Sequence, residues 1–147
     1  MLTPDQRILL MQAQEPVRGF RVWFTPGGGI EPGESAGTCL RRELHEETGL
    51  SDVEIGPFIW RRHHTFEWDN QMLSQDEEFY LLPVEQFEPE MERNPSETEL
   101  MVFRQFEWWT AQEISASDDE FAPRLLAEHL ESLIRNGPPE RPIDVGV

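Results

Sequence analysis

At 147 residues the chain has the length of one domain and enough material for a sizeable core. It carries 12 basic and 29 acidic side chains, a formal charge of −17 that opposes binding to nucleic acid polymers and to anionic membranes. A single cysteine, Cys39, excludes an internal disulfide and suits a reducing cytosol, and no apolar run approaches the roughly 20 residues of a membrane span.

The opening MLTPDQRILLMQ lacks a basic region followed by a long apolar stretch, so no secretion signal is expected and the expected location is cytoplasmic. RILLMQA at 7–13 is an apolar run of strand length, and RVWFT at 21–25 is a second. Pro26 and the glycines at 27–29 stop the sheet there. Ser35 is the expected N-cap of a helix from Ala36 to Thr48, with Gly49 just past its end and with Leu40 and Leu44 as its core stripe. Cys39 falls near the buried flank of that helix and reads as a small core residue.

Beyond it, Val53–Arg61 and His64–Trp68 read as two strands, and the turn residues Asp69 and Asn70 lead to a strand at Glu77–Leu82. The acidic stretch 88–99, with Pro89 and Pro95, reads as a loop, and Met101–Trp109 alternates as a further strand. Thr110 and Glu113 form a capping-box pattern opening a short helix. A final helix is expected over Pro123–Asn136, where Leu126, Leu130, Leu133 and Ile134 share a face, and Gly137 ends it. The tail 140–147 is expected to fray. Strands and helices that do not alternate regularly indicate an α+β domain, taken as one unit over 1–147.

The segment Gly28–Leu50, GGIEPGESAGTCLRRELHEETGL, carries the chemistry. Glu43, Glu46 and Glu47 stand at i, i+3 and i+4, so they share one side of the helix and repel one another. Only Arg42, four residues before Glu46, is placed to offset that repulsion. Alone, three such acids suit a solvated helix face; a hard divalent cation, held by carboxylates, water and substrate phosphates, would remove the repulsion.

The segment resembles the Nudix box, G-x5-E-x7-R-E-U-x-E-E-x-G-U with U a bulky aliphatic. It runs here through Gly28, Glu34, Arg42, Glu43, Leu44, Glu46, Glu47, Gly49 and Leu50, every spacing kept. WFTPGGGIEPGES, DEEFYLL and EWWTAQEI are similar to flanking strands of bacterial members. The resemblance implies an α/β/α sandwich around a mixed β-sheet flanked by helices. Family members usually place a strand and turn ahead of the equivalent of RILLM, so a shortened first strand is one expectation for the six residues that stand there.

The resemblance further implies Mg2+, with Mn2+ as a substitute, held by Glu43, Glu46, Glu47 and a backbone carbonyl at Gly27 or Gly28. Glu46, or in some members another box glutamate such as Glu43, then activates water, and Glu34 pairs with Arg42 to support the site. A further downstream carboxylate is often recruited; Glu99, Glu97 and Glu78 are the candidates, with Glu99 standing ten residues before Trp109. Arg21, Arg61 and Arg62 could take phosphates, one of the adjacent His63 and His64 could touch substrate, and Phe66, Trp68 and Trp23 could stack a base. For each of these, surface charge or core packing is an equally ordinary role.

The reaction so implied is hydrolysis of a diphosphate linkage in a nucleoside diphosphate joined to another group, such as a (d)NTP, nucleotide sugar or dinucleotide. The expected partners are that small molecule and a second copy in a homodimer, with neither a nucleic acid polymer nor a membrane. The alternative is a catalytically idle Nudix domain that senses a nucleotide; such domains usually lose a box glutamate, and this chain keeps them all. A member of the same fold with a changed reaction is a third. Pro57 follows the box too closely for the proline spacing associated with ADP-ribose cleavage, and Phe66 and Trp68 stand where dinucleoside polyphosphate enzymes tend to have a tyrosine.

Overall fold

The computed structural model describes residues 1–90 and 103–147. In chain order these form β1 (Ile8–Gln14), β2 (Arg21–Phe24), α1 (Ala36–Thr48), β3 (Phe58–Trp68), β4 (Gln71–Tyr80), β5 (Phe103–Trp109), α2 (Ala111–Ala116), β6 (Glu120–Ala122), α3 (Leu126–Asn136) and β7 (Ile143–Asp144). The α+β class expected from the sequence is the one adopted, with the strands divided between two mixed sheets.

One sheet has the order β5-β1-β2-β6, in which β1 is antiparallel to both neighbours and β2 runs parallel to β6. The other has the order β4-β3-β7, antiparallel on one side of β3 and parallel on the other. β1 sits inside its sheet with Leu9 and Leu10 fully buried, which explains its unbroken apolar run: a strand covered on both faces has no polar side. Ile8 and Leu10 join the main core with Trp23, Ile59, Trp60, Ile114, Val145 and the Leu126, Leu130 and Leu133 stripe of α3. At α2, Thr110 and Glu113 make the reciprocal capping box that their spacing predicts.

Several sequence expectations are corrected. The strands expected at Val53–Arg61 and His64–Trp68 are one strand, β3, which starts only at Phe58. Pro57 lacks a ladder donor. From Trp60 the pairing with β4 is continuous through Arg62 and His63, so nothing interrupts the strand. Asp69 and Asn70 both take positive φ, 52° and 57°, the conformation of a tight two-residue hairpin turn, and β4 therefore begins at Gln71 rather than Glu77. The final helix starts at Leu126 rather than Pro123, and β6 was not foreseen.

The tail does not fray. Ile143 and Asp144 pair in parallel with Trp60 and Arg61, the Val145 N–H donates to the Arg61 carbonyl at 3.0 Å, and Val145 is buried. The open edge of β3 supplies the ladder, and the apolar Val145 side chain anchors it. At the other end of the chain, Leu2 bridges Ile8 and Pro83.

Candidate active site

β2 delivers the chain into the glycine loop, and α1 returns it. The Ser35 side chain accepts from the Thr38 N–H at 3.2 Å, and Gly49, with φ of 77°, closes the helix through an N–H to the His45 carbonyl at 3.0 Å. The buried stripe of α1 is Cys39, Leu44 and Thr48, one residue round from the expected Leu40, which is half-buried. The glutamates occupy the neighbouring side.

Arg42 is the hub of that side. Its Nε donates to Glu34 Oε2 at 2.8 Å and its Nη2 to Glu34 Oε1 at 2.9 Å, a two-point clamp between loop and helix. Nη2 also donates to the Gly29 carbonyl at 3.1 Å. Nη1 donates to Glu43 Oε1 at 2.8 Å and, more loosely, to Glu46 Oε2 at 3.5 Å. The Arg42 hydrogen bonds, with the Glu31 N–H, lower the Glu34 pKa to about 2, and the hydrogen bonds to Glu34 and Glu43 raise that of the guanidinium. Both groups are charged at neutral pH.

The loop is pressed onto the helix. Gly27 N–H donates to Glu47 Oε2 at 2.9 Å, and the Cys39 thiol lies 3.6 and 3.5 Å from the Gly28 and Gly29 carbonyls. Cys39 is a buried free thiol, and burial pushes its pKa up. A Cβ on Gly28 would overlap the Glu43 carboxylate, so only glycine lets the backbone pass at that distance.

The predicted metal set is thus held in two groups. Glu43 and Glu46 lean on Arg42, whereas Glu47 caps Gly27. Among the described residues no three His, Cys, Asp or Glu side chains converge closely enough to hold an ion.

Outside the loop and helix, Arg21 and Arg61 are exposed, Arg61 standing opposite Glu78 in the β3–β4 ladder. Glu78 is exposed and accepts from the Tyr80 hydroxyl at 2.7 Å. Arg62 is buried and its Nε donates to Glu77 at 2.6 Å, an ion pair the sequence reading missed and which occupies this candidate phosphate ligand. His63 is exposed with Asp76 at 2.6 Å, while His64 turns inward and stacks on Phe66 with ring centres 4.5 Å apart. Burial and Arg62 lower the His64 pKa, partly opposed by Glu77, so its imidazole is neutral at pH 7. Trp68 meets Phe20 edge-on at 5.8 Å. Trp23 is a core residue, 1% exposed, donating to Asp119 at 3.0 Å and packed edge-on against Trp109. It has no face left for a base. Glu97 and Glu99 lie outside the described residues.

A two-sheet α+β domain in which one arginine fastens a glycine loop to a glutamate-bearing helix is a recognisable class. The chain belongs to the NUDIX domain family, whose model matches residues 1–130. Among curated proteins it is 36% identical over 90 residues to the RNA pyrophosphohydrolases of Salmonella arizonae and Salmonella newport. That match covers 54% of this chain and 51% of the relatives, so the chain spans about half the length of the curated relatives it matches. Among solved structures, a MutT NUDIX hydrolase from Burkholderia pseudomallei aligns with TM-score 0.62 at 22% identity, covering 88% of this chain and 90% of that one. A C. elegans Ap4A hydrolase binary complex aligns with TM-score 0.57 at 18% identity, covering 88% and 85%. Both share the fold.

Proposed function

We propose that this chain is a divalent-metal-dependent Nudix pyrophosphohydrolase that splits a diphosphate linkage in a nucleoside diphosphate joined to another group. The observation that carries the reading is the assembled loop–helix unit: Glu34 and Arg42 clamped at two points, with Glu43, Glu46 and Glu47 beside the glycine backbone. A structural helix with a solvated acidic face has no use for such a clamp or for a glycine tight against Glu43.

The donor chemistry fits Mg2+ or Mn2+. Carboxylate and carbonyl oxygens are the hard ligands such ions select, and Glu43, Glu46, Glu47 and the Gly28 carbonyl would hold one. Such an ion supplies charge neutralisation on the phosphates and a more acidic bound water. The chain's own residues do the rest. Glu34 takes up two donors of Arg42 and fixes its plane, and Arg42 in turn orients Glu43 and Glu46. Glu46, 44% exposed against 12% for Glu43, is the more accessible acceptor for a water proton. Arg21 and Arg61, both exposed, would receive phosphate oxygens, and Phe66 would meet a base.

The net charge of −17 favours a small substrate over a polymer. The reading also takes a second copy in a homodimer as the protein partner and the cytoplasm as the location. The Salmonella relatives are named for RNA, so the test needs both kinds of substrate. Purified chain is incubated in Mg2+ and separately in Mn2+ with (d)NTPs, nucleotide sugars, dinucleoside polyphosphates and a 5′-triphosphorylated oligoribonucleotide, and the phosphate products are identified. Turnover of a small nucleotide supports the reading. Preference for the oligoribonucleotide overturns the substrate class, and nucleotide binding without product would instead mark an idle sensor domain.

A further inference from the structure

Glu15 has no role in the site, yet it is 2% exposed and a carboxylate. A buried charge persists only where polar groups replace water, and here they come from two distant turns. Oε2 accepts from the N–H groups of Val17, at 2.9 Å, and Arg18, in the turn between β1 and β2. Oε1 accepts from the N–H of Asp69 at 2.7 Å, the first left-handed residue of the β3–β4 turn. Burial acts to raise the Glu15 pKa, but the Arg18, Asp69, Val17 and Gly19 backbone groups outweigh it and hold the carboxyl below its usual range.

Two further contacts follow the same seam. Arg18 forms an ion pair with Glu67, and Phe20 packs edge-on against Trp68. The tip of the β3–β4 hairpin, in the three-stranded sheet, is therefore tied to the β1–β2 turn of the four-stranded sheet. Each side of this tie leads to a different part of the site. β2 runs directly into the glycine loop, while β3 and β4 carry Arg61, Phe66 and Glu78.

We propose that Glu15 is a positioning residue that sets the separation between the glycine loop and the substrate-facing hairpin. Its loss weakens substrate capture and spares the chemical step, because its carboxylate holds the Val17, Arg18 and Asp69 N–H groups of the two turns rather than the α1 glutamates. The kinetic part of this proposal rests on the hydrolase reading above; the tie itself does not.

The test uses the full chain as wild type, Glu15→Gln and Glu15→Ala. Hydrogen exchange is followed by mass spectrometry over residues 16–20 and 66–71, and steady-state kinetics with diadenosine tetraphosphate or the panel compound cleaved fastest. In the wild type both segments should exchange slowly. Glu15→Gln keeps the shape and one acceptor but turns an NH2 towards the donors, so it should speed exchange at both turns. With it KM rises roughly tenfold while kcat stays within about twofold. Glu15→Ala should do both more strongly; should it not fold, the Gln variant and the wild-type exchange still decide.

Fast exchange at residues 66–71 in the wild type overturns the tie. An unchanged KM in a loosened variant overturns the positioning role, as does a fall in kcat that tracks lost thermal stability. No turnover by the wild type sinks the hydrolase reading and the kinetic claim with it, whereas slow exchange in that case leaves the tie standing.

Discussion

Arg42 grips Glu34 through Nε and Nη2 while its remaining nitrogen, Nη1, reaches Glu43 at 2.8 Å and Glu46 at 3.5 Å. One guanidinium thus joins the glycine loop and the helix that carries the acids. Lysine cannot reproduce that fork. Arg42→Lys should fold and lose activity by roughly a hundredfold, the scale expected when reacting groups are misplaced by about 1 Å. Measured kcat on the best panel substrate decides it; retention of full activity would show that the clamp is dispensable.

The same clamp predicts an acid sensitivity. The Glu34 pKa falls from the ordinary 4.5 to about 2 in the folded chain. A carboxyl depressed by folding contributes stability that is fully present above its unfolded value and is lost as pH falls through the folded one. The chain should therefore lose stability as the pH drops from 4.5 towards about 2. Glu34→Gln should flatten that part of the curve. Urea midpoints of both proteins across this range check the slope.

Gly28→Ala places a methyl group where the Glu43 carboxylate lies. The carboxylate sits at the end of a flexible side chain, so the fold should survive and the glutamate should be displaced. The expected result is loss of turnover with an unchanged far-ultraviolet circular dichroism spectrum.

Trp23→Ala separates core from site. Trp23 is 1% exposed and packed against Trp109, so its removal should destabilise the fold by about 3–5 kcal/mol. Phe66→Ala, at a half-buried position on β3, should instead raise KM with a small change in melting temperature. A reversed pattern in the two variants would reassign both residues.

Local chemistry made α1 readable to the residue. Ser35 and Gly49 set its ends, the spacing of Glu43, Glu46 and Glu47 set its polar side, and no distant contact was needed. The turn at Asp69 and Asn70 and the capping box at Thr110 were legible for the same reason. What escaped depends on partners remote in sequence. β3 is one strand because β4 pairs along it without a break, and β7 exists because β3 offers an open edge to Ile143 and Asp144.

The site divides along the same line. That Glu34 and Arg42 meet followed from the box, but the capture of Glu43 and Glu46 by the third nitrogen of Arg42 is a matter of side-chain reach that spacing does not fix. The buried Arg62–Glu77 pair is visible only once the two strands are in register. Glu15 carried no signal at all, since its decisive partner, Asp69, is 54 residues away.

In the proposed function, the first step would be the binding of one divalent ion by Glu43, Glu46 and Glu47 together. Mn2+ titration followed by electron paramagnetic resonance, on the wild type and on Glu47→Gln, reads this step alone. The wild type should bind the ion without added nucleotide, and the Gln variant should bind it at least about tenfold more weakly while keeping its fold. Equal binding by both proteins, or none by the wild type with or without nucleotide, would contradict the assignment of these glutamates to a metal.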